Sequence, residues 1–247
     1  TDRITRTIEE LAPLSPTAVR LAGVVGDEKA GVDDVVEVIS FDQALTAGVL
    51  RLANSASSAS SREITTVREA VIRLGGARIL GYITARTVQA SASGPLPSYG
   101  YDEQVLFRHS VTAACAAQQL GSFVSAPLSP LVFTAALLHD IGKLIISRCV
   151  SPQEMKAVWD LVSAAQPPCT CESAENTVLG ISHSGVGAAV LRQWRLPQTI
   201  VEAVQRHHDT VDCDNNTAAV QIANVCARCI GEGIGNEGMS LALDERA

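Results

Sequence analysis

The chain has 247 residues and a formal net charge of −7, which argues against a nucleic-acid partner, because such partners usually require a basic face. Hydrophobic residues make up 47% of the chain but aromatic residues only 4%, so small and branched aliphatic side chains must form the core. No apolar run approaches the roughly 18 residues that span a bilayer, and no signal peptide opens the sequence. We therefore expect a cytoplasmic protein without membrane contact.

The apolar spacing predicts helices along the whole chain and no convincing strand. In the first part, the predicted helices cover residues 17–25, 32–39, 44–53, 66–74 and 79–88. In the second part, they cover residues 104–120, 131–146, 154–164, 182–194, 197–207 and 217–230. Small and helix-breaking residues cluster at 91–98 and predict a linker there. We expect an all-α protein with an N-terminal unit at 1–97, a C-terminal unit at 98–230 and a loosely ordered glycine-rich tail at 231–247.

The pair His139-Asp140 stands out because it lies at the end of an apolar helical run. Burial of a carboxylate is unfavourable by several kcal/mol unless a cation or hydrogen bonds compensate it. Neighbouring residues of a helix point about 100° apart, so one metal ion could contact both only with ligands from other helices. Lys143, one turn further on, could meet an anionic ligand such as a phosphate or pair with Asp140.

All five histidines lie in or against predicted helices; they are His109, His139, His183, His207 and His208. His183 lies in the first turn of its helix, where the helix dipole favours the neutral imidazole that binds metals. Each histidine taken alone is more often a satisfied core residue than a ligand. Together with a carboxylate, however, the set predicts a site for iron, manganese or zinc. Such a site could activate water for phosphoester hydrolysis.

A second metal hypothesis rests on Cys169, Cys171, Cys226 and Cys229, whose four thiolates could hold zinc. The last two lie in an apolar helical run, where cysteine behaves as a small apolar residue. The packing interpretation is therefore favoured.

The histidine pattern resembles the HD superfamily of metal-dependent phosphohydrolases. The matching residues are His109, His139-Asp140 with Ile141-Gly142-Lys143-Leu144, His183 with Gly187, Trp194-x-Leu196-Pro197, and His207-His208. Within that superfamily, the N-terminal half is similar to the hallmark of HDOD domains rather than to HD-GYP cyclic-di-GMP phosphodiesterases. The segments that carry this likeness are Leu14-Ser15-Pro16, 39–46, 50–56, Ile64, 68–71 and Leu74-Gly75. The resemblance covers roughly residues 9–230.

This resemblance implies an all-helical HDOD-like bundle in two lobes, the C-terminal lobe being HD-like. HDOD domains resemble non-catalytic relatives of HD hydrolases that serve as bacterial signalling modules, often joined to receiver, cyclic-di-GMP-turnover or kinase domains. The implied metal set is His109, His139, Asp140, His183, His207, His208 and Asn224.

Three departures from the hydrolase pattern weaken the implied site. Asn224 stands at the last metal-binding aspartate, and its neutral amide is a weaker ligand than a carboxylate. Val105 stands where HD-GYP proteins place a glutamate ligand. The residues after His208 are Asp209-Thr210-Val211 instead of Gly-Tyr-Pro. The loss of two acidic ligands should affect a dinuclear site more than a mononuclear one, so we expect at most one divalent ion.

Three functional hypotheses follow. The first is a regulatory module that acts by binding a signalling protein or small ligand, without turnover. The second is a metal-dependent phosphohydrolase acting on a nucleotide or cyclic dinucleotide, with Asp140 and Lys143 in the catalytic centre. The third is a helical scaffold whose histidines are satisfied core groups.

Overall fold

The structure is a computed structural model that describes residues 2–10, 14–55, 63–92, 94–125, 127–164, 169–209 and 213–236. Every named element in these ranges is helical, so the all-α prediction is confirmed. The N-terminal helices are α1 (Asp2–Glu10), α2 (Pro16–Val25), α3 (Val32–Ser40), α4 (Gln43–Ser55), α5 (Val67–Leu74) and α6 (Gly76–Ser91). After a short 3-10 helix at Pro97–Tyr99 come α7 (Val105–Leu120), α8 (Val132–Leu138), α9 (Gly142–Cys149), α10 (Pro152–Ala164), α11 (Cys171–Leu179), α12 (His183–Gln193), α13 (Gln198–Gln205) and α14 (Asn215–Cys229).

Local capping signals explain where several helices begin. The Ser15 side chain accepts a hydrogen bond from the Ala18 amide (3.2 Å), and Pro16 occupies the first turn of α2. Thr66 and Glu69 form a reciprocal capping box at the start of α5. Since these signals are readable in the sequence, the predicted N-terminal helices agree with the structure to within three residues at either end.

The single helix predicted over 131–146 is wrong, because α8 and α9 are separated by a turn at residues 139–141. In that turn the Ile141 amide donates to Leu138 O (3.0 Å) and the Lys143 amide donates to Asp140 O (3.0 Å). The His139 ring donates from Nδ1 to Ala136 O (2.7 Å), a carbonyl near the end of α8. At this turn His139 Nε2 lies 3.4 Å from the carboxylate of the next residue, Asp140.

Two helices were not predicted at all. α1 is mostly polar, and α11 follows a proline-containing segment and has only weak apolar periodicity. Thr170 caps α11 by accepting from the Ser173 amide (3.1 Å), and the helix ends at Gly180 with a left-handed φ of 70°. α11 matters for the site because it carries Glu175.

The two halves of the chain share one continuous buried apolar core. α6 packs on α8, and α1 packs on α9. The Leu96 amide donates to Tyr101 O (2.8 Å) at the end of the predicted linker, and Tyr99 is fully buried. None of the helices in the described ranges has the length and apolar character needed to cross a membrane.

The glycine-rich tail differs from its prediction in residues 231–236. These residues are packed against the C-terminal half rather than loosely ordered, and the Asn236 amide donates to Tyr99 O (2.9 Å). The rest of the tail, 237–247, lies outside the described residues.

Candidate metal centre

The Asp140 carboxylate lies at the centre of a histidine cluster assembled from α7, the α8–α9 turn, α12 and the end of α13. On one side, His109 Nε2 and His139 Nε2 lie 3.5 and 3.4 Å from Asp140 Oδ2. On the other side, His183 Nε2 and His207 Nε2 lie 3.5 and 3.7 Å from Asp140 Oδ1. These three helices and one turn thus bring together histidines that are up to 98 positions apart in the sequence.

Each of these four histidines has an oxygen acceptor at Nδ1, so its Nε2 faces the carboxylate. The Nδ1 acceptors are Ala136 O for His139 and Val204 O for His207 (2.7 Å each), Glu232 O for His109 (3.2 Å), and Glu175 Oε2 for His183 (2.7 Å). An acceptor at Nδ1 requires the proton there, which leaves a lone pair on Nε2 when the ring is neutral.

The Nε2 atoms approach one another in a way that calls for a cation. His109 Nε2 and His139 Nε2 are 3.2 Å apart, and His183 Nε2 and His208 Nε2 are 3.0 Å apart. In the first pair both rings carry their proton on Nδ1, so two lone pairs meet and repel unless a proton or a metal lies between them. In the second pair, His208 can instead carry its proton on Nε2 and donate to His183. Two nitrogens bound to one ion at about 2.1 Å are about 3 Å apart when the bonds meet at a right angle. The donor set therefore fits a divalent transition metal.

Unsatisfied polar atoms in the cluster support the same conclusion. Within the described residues, Asp140 Oδ1 and His207 Nε2 are buried without a hydrogen-bond partner, whereas Asp140 Oδ2 faces the Lys143 ammonium at 2.9 Å. Buried polar groups are normally satisfied, so orphaned atoms that converge on one point indicate a ligand there. The donors fall into two groups, His109-His139-Asp140 and His183-His207-His208, with Asp140 Oδ1 facing the second.

Burial and mutual repulsion keep most of the histidines neutral. Desolvation and the neighbouring His139 lower the pKa of His109 to about 4. Desolvation and adjacent imidazoles hold the pKa values of His207 and His208 well below their usual range. Burial alone would raise the pKa of Asp140, but Lys143 and His139 outweigh it and hold that pKa well below its ordinary value. The cluster at neutral pH is thus an anionic carboxylate among mainly neutral imidazoles, the protonation state that metals require.

His183 also lies beside a carboxylate, which acts against the helix dipole that was expected to favour its neutral ring. Desolvation opposes its charge, but the Glu175 carboxylate raises the pKa of His183 above its ordinary value. Glu175 is fully buried and accepts from the His183 amide (2.8 Å), the His183 ring and the Tyr99 hydroxyl (2.7 Å). Sequence analysis missed Glu175, because a glutamate within a helix is usually solvated and α11 itself was not predicted.

Lys143 pairs with Asp140, which is one of the two partners predicted from the sequence, the other being an anionic ligand. Its Nζ lies 2.9 Å from Asp140 Oδ2, 3.3 Å from the Tyr101 hydroxyl, and 5.5 Å from the ring centroids of both Tyr99 and Tyr101. Lys143 is only 3% exposed. The ammonium therefore lies between two aromatic rings and the carboxylate, where it neutralises the side of the cluster that holds His109.

The other residues that the sequence singled out are Asn224, Val105 and the cysteines. Asn224 is buried on α14, which packs against α7, α8 and α13, but no hydrogen bond in the described ranges joins it to the cluster. Val105 is half-buried at the start of α7. Cys226 and Cys229 are exposed on α14, so the interpretation that they pack as small apolar residues is wrong. In the described ranges no group of three metal donors contains more than one cysteine, and the one that contains a cysteine is Cys171-Glu175-His183.

Glu175→Gln is expected to weaken metal binding by about 10- to 100-fold, because a carboxylate behind a histidine ligand fixes its ring and raises its basicity. The affinity is measured by competition with a chromogenic chelator. Tyr99→Phe is the control: it removes one hydrogen bond from Glu175 but keeps the charge, and should change the affinity less than about tenfold. An unchanged affinity of the glutamine variant would show that His183 does not bind the ion.

An all-α fold with a buried histidine–aspartate cluster defines a protein of the HD class. Within that class the chain belongs to the HDOD domain family, whose model matches residues 11–210. The resemblance found in the sequence is thereby confirmed.

Solved structures agree with this assignment. The chain is 27% identical to an HDOD domain protein with unknown function from Geobacter sulfurreducens, with a TM-score of 0.63 over 92% of this chain and 76% of that chain. It is 25% identical to the "Putative phosphohydrolase" of Shewanella amazonensis SB2B, with a TM-score of 0.65 over 92% of this chain and 80% of that chain. Among curated proteins, an uncharacterized protein of Treponema pallidum (strain Nichols) is 22% identical over 205 residues, or 82% of this chain. The chain spans 38% of that relative's length.

Proposed function

We propose that this chain is a regulatory HDOD module of bacterial signal transduction that holds one divalent transition-metal ion and acts by binding a signalling protein or small ligand, without turnover. The observation that carries the proposal is that the side chains of the cluster are almost completely shielded from solvent. Six of its members, His109, His139, Asp140, Lys143, His183 and His207, are at most 3% exposed, and only His208 is half-buried. A hydrolytic metal site keeps an open position that substrate and water can reach. A closed cluster instead suits a structural or regulatory ion.

The charges favour one ion over two. His183, His207 and His208 offer three imidazole nitrogens beside Asp140 Oδ1. On the other side, Lys143 already places a positive charge 2.9 Å from Oδ2, where it repels a second cation. We therefore assign the ion to the three-histidine side, with iron, manganese or zinc as the metal. When bound there, it would supply Lewis-acid character and a fixed geometry that joins α12 to α13.

Metal-dependent phosphohydrolysis is the second candidate. It is supported by the likeness to the Shewanella protein and by the convergence of His139, Asp140 and Lys143 in one cluster. A helical scaffold without metal is the third. The unsatisfied Oδ1 of Asp140 and Nε2 of His207 count against the scaffold, because a core selected for packing alone would satisfy them.

Turnover assays separate these candidates. Protein reconstituted with manganese, iron or zinc is assayed with bis(p-nitrophenyl) phosphate and cyclic dinucleotides. We expect the reconstituted wild-type protein to hydrolyse these substrates no faster than the Asp140→Asn variant does. Asn224→Asp, which restores the carboxylate that the resemblance implies at that position, is the gain-of-function comparison and should bind metal more tightly if Asn224 belongs to the site. Hydrolysis by the wild-type protein that Asp140→Asn abolishes would establish the phosphohydrolase instead.

A further inference from the structure

The residues directly after α14 lie across the His109 side of the cluster. We call residues 231–236 the strap. Its Glu232 carbonyl accepts from His109 Nδ1 (3.2 Å), and its Asn236 amide donates to Tyr99 O (2.9 Å). The strap therefore contacts both a candidate ligand and a tyrosine that faces Lys143.

Glycines allow this close approach. Gly233 has a left-handed φ of 79°, and a Cβ there would lie 2.5 Å from His109 Nδ1. A Cβ on Gly235 would lie 2.6 Å from the Tyr101 ring. Real side chains do not fit at these distances, so the strap backbone lies directly on the cluster and on the aromatic wall beside it.

The strap is packed in place mainly through its backbone: the Gly231 and Glu232 amides donate to carbonyls of α14 (3.0 Å each), and the side chains of the strap add little. Arg108 Nε lies 3.2 Å from a Glu232 carboxylate oxygen, but these side chains are 52% and 29% exposed, so solvent screens the pair. Ile230 is 72% exposed and Ile234 is 41% exposed, so neither side chain is anchored in the core. Segments with few buried apolar contacts open at much lower free energy than the core.

We propose that the strap is a gate that seals the His109 side of the cluster and positions His109, so that a ligand reaches the cluster from that side only when the strap lifts. The Glu232 carbonyl fixes the proton on His109 Nδ1 and thereby directs Nε2 to Asp140. Lifting the strap removes this acceptor and uncovers His109 and Tyr101 together. The part of the inference that concerns a ligand rests on the proposed function, whereas the closure itself requires no metal.

Two glycine substitutions test the gate. Gly233→Ala places a methyl group against His109, whereas the methyl group of Gly231→Ala meets open space. Both glycines have a positive φ, 79° at Gly233 and 96° at Gly231, so the two variants carry a similar backbone strain. Metal-free protein is treated with diethyl pyrocarbonate, and modification of each histidine is followed by peptide mass spectrometry. His208, which is half-buried and not contacted by the strap residues described, is the internal reference.

Modification of His109 relative to His208 should be about tenfold faster in Gly233→Ala than in the wild-type protein, and close to the wild-type rate in Gly231→Ala. Arg108→Ala, which removes the partly exposed ion pair with Glu232, should accelerate the modification of His109 by up to about fivefold. Hydrogen exchange of the Asn236 amide should rise in the same two variants. Unchanged modification and exchange in both Gly233→Ala and Arg108→Ala would overturn the gate. Because the protein is metal-free, a missing metal site would disprove the proposed function without affecting this result.

Discussion

Asp140→Asn is expected to lower the free energy of unfolding of the metal-free protein by about 3–5 kcal/mol, as is typical when one member of a buried ion pair is removed. The substitution keeps the shape of the side chain but removes the negative charge that lies 2.9 Å from Lys143 Nζ. Lys143 is 3% exposed, so water cannot replace the lost charge. The depressed pKa of Asp140 has the same origin, since Lys143 and His139 stabilise the carboxylate against its desolvation. Chemical denaturation of chelator-treated protein measures the difference.

The exposed pair Lys156–Asp160 provides a matched control. Its Nζ–oxygen distance is 2.6 Å, but its side chains are 73% and 64% exposed, so Asp160→Asn should change stability by less than about 1 kcal/mol. The double variant Asp140→Asn/Lys143→Met, which removes both charges, should recover much of the loss. If Asp140→Asn were no more destabilising than Asp160→Asn, the electrostatic description of the cluster would be wrong.

Gly142→Ala is expected to destabilise the protein by about 3 kcal/mol or more, at the upper end of overpacking effects. A Cβ on Gly142 would overlap the carbonyl oxygen of His183 and lie 2.7 Å from the Gly187 amide nitrogen. Both are backbone atoms, so no side-chain rotation relieves the clash, and α9 must move away from α12. Because His183 lies at the first position of α12, the same shift should displace it from Asp140 and weaken metal binding.

Gly23→Ala is the comparison for this prediction, because Gly23 lies within α2 and a Cβ there has no heavy atom within 4 Å. Alanine is a better helix former than glycine, so this variant should be about 0.5–1 kcal/mol more stable. Thermal unfolding of the two variants should thus shift in opposite directions. Equal shifts of the unfolding temperature in Gly142→Ala and Gly23→Ala would mean that the contact between α9 and α12 tolerates a methyl group.

Much of the fold could be predicted from the sequence because apolar periodicity and capping residues are local signals. Ser15-Pro16 and the Thr66–Glu69 box mark helix starts regardless of the rest of the chain. The turn at residues 139–141 could not be predicted in this way. It contains no proline, and Gly142, which follows it at the start of α9, is required only because α12 crosses there. The helix break is therefore a tertiary effect.

In the candidate site, too, some residues could be predicted from the sequence and others could not. The five histidines and Asp140 could be selected from the sequence, and the structure brings them together around one carboxylate. The groups that orient His109 and His183 are a backbone carbonyl at Glu232 and a carboxylate on the unpredicted α11. A backbone carbonyl leaves no trace in residue identity, and a mid-helix glutamate is ordinarily solvated. Supporting groups of this kind become visible only in three dimensions.

The metal content of the purified protein tests the central claim most directly. Protein prepared without chelator, and protein stripped and then reconstituted with manganese, iron or zinc, is analysed for metal per chain alongside Asp140→Asn. The account predicts one ion per chain in the wild-type protein and a loss of at least tenfold in affinity in the variant, as expected when a ligand is removed from a closed site. A wild-type protein that holds no metal even after reconstitution would contradict it.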